Sequence, residues 1–108
     1  MPIEKWSDKV AVVHLADDPQ FTEDLQSLAA PLRQNASIVL NFNAVRYINS
    51  SNISRLLKLR KQLATTDARL ILCGLSTQVW SVFLVTGLDK IFEFSDNVPT
   101  ALATIQID

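Results

Sequence analysis

The sequence predicts an α/β fold, a single domain over residues 1–108 with a mixed, mostly parallel sheet of four to five strands and about four helices. Short apolar runs rich in β-branched residues alternate along the chain with segments whose apolar residues recur at helical spacing. The 108 residues are 48% hydrophobic, which suffices for one core, and no repeat or linker-like tract divides them. Such alternation favours parallel strands joined by helical crossovers.

The first part of the chain predicts two clear strands with a helix between them. Residues 10–15 read VAVVHL, and a weaker strand over residues 3–6 would form a hairpin with them and give the sheet a mixed edge. Asp18 and Pro19 suit a helix start, and Pro31 is expected to end or bend the helix that follows. Residues 37–42, SIVLNF, predict a strand buried on both faces.

A second helix is predicted at about residues 51–64, as the crossover between parallel neighbouring strands at 38–42 and 70–73. One face of this helix is expected to be apolar and to carry Ile53, Leu56, Leu57, Leu63 and Ala64.

The last third of the chain predicts the remaining elements. Gly74 ends the strand at residues 69–73, and a third helix is expected to end at Gly87 in the left-handed conformation. A short strand at 91–94 and a closing helix at 98–105, with Pro99 in its first turn, complete the prediction.

Composition excludes several classes of function. Ten basic against eleven acidic residues give a net charge of −1, whereas nucleic-acid-binding proteins usually have a clear basic surplus. The single cysteine cannot form an internal disulfide, and no segment has the pattern of a signal peptide or the length of a membrane span. We therefore expect a cytoplasmic protein without nucleic-acid binding or direct membrane insertion.

Residues suited to catalysis or metal binding are scarce, and we predict no catalytic residue, metal site or cofactor. His14 is the only histidine and reads as a surface or edge-strand residue. Cys73 follows a strand, where phosphatase loops place a reactive thiol, but no arginine occurs in the next six residues, which favours an inert buried thiol. The pair Asp17 and Asp18 indicates a turn. With only two glycines, the chain holds no phosphate-binding or dinucleotide-binding loop.

Two polar features remain. Asn49, Ser50, Ser51 and Asn52 precede the second helix, where they either serve simply as caps or form an anion-tolerant site that would accept a phosphate on Ser50 or Ser51.

The second feature is a basic face on the same helix. Arg55, Lys58 and Lys61 share this face, with Arg60 nearer the apolar side. The face is either solvated or a docking surface for an acidic partner.

Three stretches of the chain resemble the STAS domain of anti-sigma factor antagonists. Residues 38–53, IVLNFNAVRYINSSNI, resemble the family's strand, loop and helix start, which usually ends Asp-Ser-Ser/Thr-Gly-Leu. Residues 70–76, LILCGLS, resemble the following strand and its exit. Residues 86–92, TGLDKIF, are similar to the family's Thr-Gly-Leu-Asp-Arg-Leu-Phe. Asn49 and Asn52 stand where the family has Asp and Gly.

The resemblance implies a non-enzymatic binding module in a partner-switching pathway that regulates transcription. In the best-known members, a kinase that doubles as anti-sigma factor phosphorylates the serine after the Asp, which ends capture, and a PP2C-like phosphatase restores it. That serine falls on Ser50, with Ser51 as second candidate. The partner-binding residues are then Asn49, Ser50, Ser51, Asn52, Arg55 and Lys58.

Two alternatives remain open. The first is an unphosphorylated STAS subunit of a lipid-transport or signalling-scaffold assembly. The second is a small phosphoryl-transfer enzyme that uses Cys73.

Overall fold

A five-stranded sheet organises the protein. The computed structural model describes residues 3–107, without the side chains of residues 29, 30, 106 and 107. The strands lie in the sheet in chain order: β1 Ile3–Ser7, β2 Val10–Ala16, β3 Ser37–Ala44, β4 Leu70–Cys73 and β5 Glu93–Ser95. β1 is antiparallel to β2, and every other neighbouring pair is parallel. The mixed, mostly parallel sheet is thus confirmed, including the hairpin at its edge.

Helical segments connect the strands or follow them. They are α1 Gln20–Gln26, α2 Ala29–Arg33, α3 Ser50–Leu63, α4 Thr77–Thr86 and α5 Val98–Ile107, with a 3₁₀ turn at Leu88–Lys90. α3 joins β3 to β4, whose parallel register pairs Val39 with Ile71. The predicted crossover is therefore confirmed.

The core has two layers, one on each face of the sheet. On one face, side chains such as Leu40 and Leu72 pack with Phe21, Leu56 and Phe83 from the helices. On the other face, a smaller cluster that includes Val39, Ile71 and Cys73 packs against Ala101 and Leu102 of α5. β3 and β4 contribute to both layers, which explains their nearly continuous apolar sequences.

The first predicted helix is divided into α1 and α2. The break falls at Ser27 and Leu28, before Pro31 rather than at it. Ser27 is the residue four positions before Pro31, and a proline ring collides with the carbonyl at that position of a continuous helix. Pro31 itself fits within the short α2, so its effect on the helix appears one turn earlier in the chain.

The buried face of α3 differs from the predicted one. Leu56, Leu59 and Leu63 are buried together with Asn52, a spacing of four, three and four residues. Leu57 is 38% exposed. The prediction that Leu57 lies beneath the helix was wrong, because a residue directly after Leu56 is rotated by about 100° around the axis.

Ala64 was also misplaced by the sequence prediction. It is exposed and follows the last residue of α3, while Ile53 is half-buried. Neither belongs to the fully buried stripe of the helix.

The last strand is shifted along the chain from its predicted place at residues 91–94. The N–H groups of Ile91 and Phe92 both donate to the carbonyl of Leu88, so they close the 3₁₀ turn instead of joining the sheet. β5 consequently begins at Glu93. Gly87 ends α4 with φ of 75°, as predicted from its position.

Candidate functional site

The polar segment before α3 forms a reciprocal cap. The side-chain oxygen of Asn49 accepts a 2.8 Å hydrogen bond from the backbone N–H of Asn52. The side-chain oxygen of Asn52 accepts a 3.1 Å hydrogen bond from the backbone N–H of Asn49. This arrangement is a capping box built from two asparagines, and it satisfies two donors at the helix start.

Asp18, in the loop between β2 and α1, anchors this cap. Its carboxylate accepts hydrogen bonds from the Asn52 side-chain amide at 2.8 Å and from the backbone and hydroxyl of Thr22 at 2.9 and 2.8 Å. The bond from Asn52, followed by those from Thr22, lowers the pKa of Asp18, against the opposing effect of burial. Asp18 therefore remains ionised near neutral pH while joining the starts of α1 and α3.

A second set of hydrogen bonds links Asp17 to the loop between β3 and α3. The backbone N–H and Nε of Arg46 each donate a 2.8 Å hydrogen bond to the Asp17 carboxylate. The backbone bond first, and the guanidinium second, lower the pKa of Asp17. The two aspartates that indicated only a turn thus connect two loops.

Ser50 and Ser51 occupy the first two positions of α3, and both are exposed. The first N–H groups of a helix have no partner within the helix, and the helix dipole places partial positive charge there. A negatively charged group on either serine would be electrostatically favoured by its own helix. Ser50 lies opposite the buried stripe and so faces away from the core.

Asn52 is 1% exposed, although the resemblance placed it among the partner-binding residues. Its side chain is directed inward, to Asn49 and Asp18. In this structure Asn52 positions the segment from within and has no surface to offer a partner. Asn49 is exposed beside the two serines.

The basic residues of α3 divide between two sides of the helix. Arg55 is half-buried and, with the exposed Lys58, borders a groove beside α1 and α2. Arg60 lies on the opposite side, where its Nε donates a 3.0 Å hydrogen bond to the carbonyl of Ile91. Arg60 therefore lies off the predicted face of Arg55, Lys58 and Lys61, on the side where the sequence analysis placed it.

Cys73 is fully buried at the end of β4, in the smaller core layer. Burial raises the pKa of its thiol to about 11, so the reactive thiolate is disfavoured.

His14 lies on the sheet surface rather than in a catalytic pair. It is exposed and contacts Glu4 and Asn41 through its two ring nitrogens, at 3.1 and 3.0 Å.

Among residues 3–107, no group of three or more His, Cys, Asp or Glu side chains has the geometry to hold a metal ion. None of the helices that the structure describes has the length and apolarity needed to cross a membrane.

Comparison with known proteins places this architecture among solved structures. A sequence model of the STAS domain matches residues 7–101. The Thermotoga maritima protein TM1081 superimposes with a TM-score of 0.83 at 18% identity, over 97% of this chain and 93% of that one.

Two structures of the anti-sigma factor antagonist SpoIIAA, one unphosphorylated and one phosphorylated, are also similar. The unphosphorylated form matches with a TM-score of 0.82 at 20% identity, over 98% of this chain and 96% of its own. The phosphorylated Bacillus form matches with a TM-score of 0.72 at 21% identity, over 98% and 97%. At these identities, the structural likeness concerns the fold.

Proposed function

The chain belongs to the STAS domain family, and from this premise we propose that it is a non-enzymatic, anti-sigma factor antagonist-like binding module whose partner capture is regulated by phosphorylation of Ser50. Its partner is an anti-sigma factor or serine kinase of the partner-switching type, and a PP2C-like phosphatase reverses the modification. The protein acts in the cytoplasm. The observation that carries the proposal is the exposed position of Ser50 at the start of a helix held by Asn49, Asn52 and Asp18.

The position of Ser50 meets the two requirements of such a switch. A kinase must reach the hydroxyl, and Ser50 is exposed. The surrounding backbone must keep its geometry when the charge is added, and the capping box with its anchor on Asp18 supplies that support. A phosphate on Ser50 would then change the charge of the surface without requiring a change of fold.

The expected effect of the phosphate is electrostatic. Phosphoserine adds about −1.5 to −2 charges at neutral pH. The helix start stabilises such a charge by about 0.3–1 kcal/mol. Within an interface that offers no matching cation, the same charge costs several kcal/mol. Since about 1.4 kcal/mol already changes affinity tenfold, a moderate mismatch suffices to release a partner.

SpoIIAA supports the proposal because it has been solved in both unphosphorylated and phosphorylated forms. Asn49 in place of the family's Asp removes a negative charge beside the acceptor. We therefore expect the cognate kinase to recognise a segment that has no acidic residue directly before Ser50.

The alternative without phosphorylation is a constitutive STAS subunit of a lipid-transport or signalling-scaffold assembly. In that case Asn49, Ser50 and Asn52 serve only to cap α3. The Cys73 enzyme alternative receives no support from the site, because the thiol is buried and its pKa is raised.

The test is intact-mass measurement of the protein after incubation with partner-switching kinases encoded near its gene, followed by fragment mapping. We expect one phosphate, located on Ser50, that is absent from Ser50→Ala and present on the matched control Ser51→Ala. A phosphate found only on Ser51 would transfer the assignment to the second candidate. No phosphate with any of these kinases would favour the constitutive alternative.

A further inference from the structure

A groove of about 370 Å³ runs between the α1–α2 segment and α3. Leu25, Leu28, Leu32 and Leu59 supply its apolar lining. Leu28 and Leu59 are almost fully buried and form part of the main core layer, whereas Leu25 and Leu32 are only partly buried. The groove therefore has a fixed apolar floor with partly exposed leucines.

The polar lining of the groove is cationic. Arg55 and Lys58 line it together with two glutamines, and no acidic side chain is among its lining residues in the described part of the chain. The Arg55 Nε is buried, and among the described residues no atom accepts a hydrogen bond from it. Buried donors of this kind normally have an acceptor. Arg55 as a whole is only half-buried, so an anionic group in the groove would meet the accessible part of its side chain rather than Nε.

We infer that this groove docks an acidic, leucine-rich helix of a protein partner, with a partner carboxylate on Arg55 and Lys58 and apolar side chains on the leucines. An apolar stripe flanked by carboxylates is the chemistry that matches a leucine floor beside two cations. The inference deepens the proposed function, since it rests on the chain having a protein partner. It does not require that Ser50 be phosphorylated.

The groove and Ser50 lie on different sides of α3. Arg55, Lys58 and Gln62 recur at spacings of three and four residues on the flank beside α1 and α2. Ser50 faces away from the core, about a third of a turn from that flank. A partner could thus contact both regions, while a charge placed on Ser50 leaves the groove lining intact.

The probe is a synthetic helical peptide of about 18 residues, with leucines at every third and fourth position and glutamates beside them. A second peptide carries glutamine in place of every glutamate. Each peptide is titrated into the ¹⁵N-labelled full chain, and amide shifts report where it binds. We expect the glutamate peptide to shift the amides of Leu28 and Leu59. The glutamine peptide should bind at least about fivefold more weakly.

Charge-matched variants identify the cationic side chains that bind the peptide. The double variant Arg55→Gln with Lys58→Gln should bind the glutamate peptide at least about fivefold more weakly than the parent does. The control Lys61→Gln with Lys90→Gln removes the same charge away from the groove and should stay within about twofold. Equal losses in both double variants would overturn the inference, as would the absence of shifts at Leu28 and Leu59 at about 1 mM peptide.

Two further measurements separate this inference from its rivals. The chain could instead bind phosphatidylglycerol vesicles through Arg55 and Lys58 and fail to bind the peptide. That outcome would overturn the protein partner and identify an anionic lipid as the ligand of the groove. Ser50→Asp should retain peptide affinity within about twofold. If the peptide docks and Ser50 takes no phosphate, the proposed switch fails alone. If Ser50 is phosphorylated and the peptide does not dock, the groove inference fails alone.

Discussion

The side-chain amide of Asn52 donates a 2.8 Å hydrogen bond to the carboxylate of Asp18, 34 residues earlier in the chain. This bond joins the loop after β2 to the first turn of α3, so the geometry around Ser50 depends on a distant loop. Glycine, which the resemblance places at this position in other family members, has no side chain to make this bond. In this chain the side chain of Asn52 therefore holds the start of α3 through a hydrogen bond that a glycine could not make.

Removing the Asn52 side chain should destabilise the fold. Asn52→Ala loses one half of the capping box and leaves Asp18 without one of its donors, for an expected loss of about 1–3 kcal/mol in the free energy of unfolding. Chemical denaturation of the variant and the parent measures this difference in the free energy of unfolding. The exposed Ser54→Ala on the same helix serves as control and should stay within about 0.5 kcal/mol. An Asn52→Ala loss no larger than that of the control would contradict the positioning role.

Stability should fall in acid because of Asp18. The hydrogen bond from Asn52 lowers the native pKa of Asp18 below its value in the unfolded chain, so the fold favours the ionised carboxylate. The resulting stability is present above the unfolded pKa of about 3.9 and is lost as the pH falls below it, through the lower native pKa. We expect the free energy of unfolding to decrease from about pH 5 downward.

The variant Asp18→Asn tests the source of this pH dependence. It should be less stable than the parent at pH 7, because an amide nitrogen replaces one acceptor of the network. Its stability should also change less between about pH 5 and 3. Part of the slope should persist, since the backbone and guanidinium of Arg46 lower the pKa of Asp17 as well. An unchanged slope would show that Asp18 does not contribute.

Neighbouring leucines of α3 should respond very differently to truncation. Leu56 is 0% exposed, and Leu56→Ala should cost about 2–5 kcal/mol. Leu57 is 38% exposed, and Leu57→Ala should cost less than about 1 kcal/mol. Urea denaturation of both variants measures the difference. Similar losses would mean that α3 is rotated from the orientation described above.

A charge at Ser50 should weaken partner binding without unfolding the protein. Ser50→Asp is expected to reduce affinity for the cognate partner at least tenfold, about 1.4 kcal/mol, while Ser50→Ala retains binding. Isothermal titration calorimetry measures both. A Ser50→Asp affinity within about twofold of that of the parent would contradict a switch at this position.

Cys73 should be inert in the folded protein. With the thiol buried and its pKa raised to about 11, the thiolate fraction at pH 7 is about one in ten thousand. An alkylating reagent should label native protein far more slowly than protein unfolded in urea. Rapid labelling of the native state would restore the phosphoryl-transfer alternative.

The order of strands and helices was predictable because periodicity reports burial directly. The parallel pairing of β3 with β4 and the αL end of α4 at Gly87 are confirmed. The error on α3 was one of helical period, because Leu59 shares the spacing of Leu56 and Leu63 whereas Leu57 is rotated away from them. The start of β5 was not predictable from apolar pattern, because it depends on the hydrogen bonds of Ile91 and Phe92 to Leu88.

The candidate site was predictable only in its local part. Asn49 as a cap follows from residue type and position. The ties of Asp18 to Asn52 and of Asp17 to Arg46 join residues 34 and 29 positions apart, and no local pattern indicates such pairs. A signal was present in the two consecutive aspartates, but a turn explained them equally well.

The strand order also bears on how the chain folds. Each strand pairs with the next strand along the sequence, so the sheet can grow by one strand at a time. No strand has to wait for a distant segment before its hydrogen bonds form, and the entropic penalty of closing long loops stays moderate. Because the parallel pairs still need a crossover, we expect refolding to be slower than that of a helical bundle and faster than that of a β-sandwich of similar size.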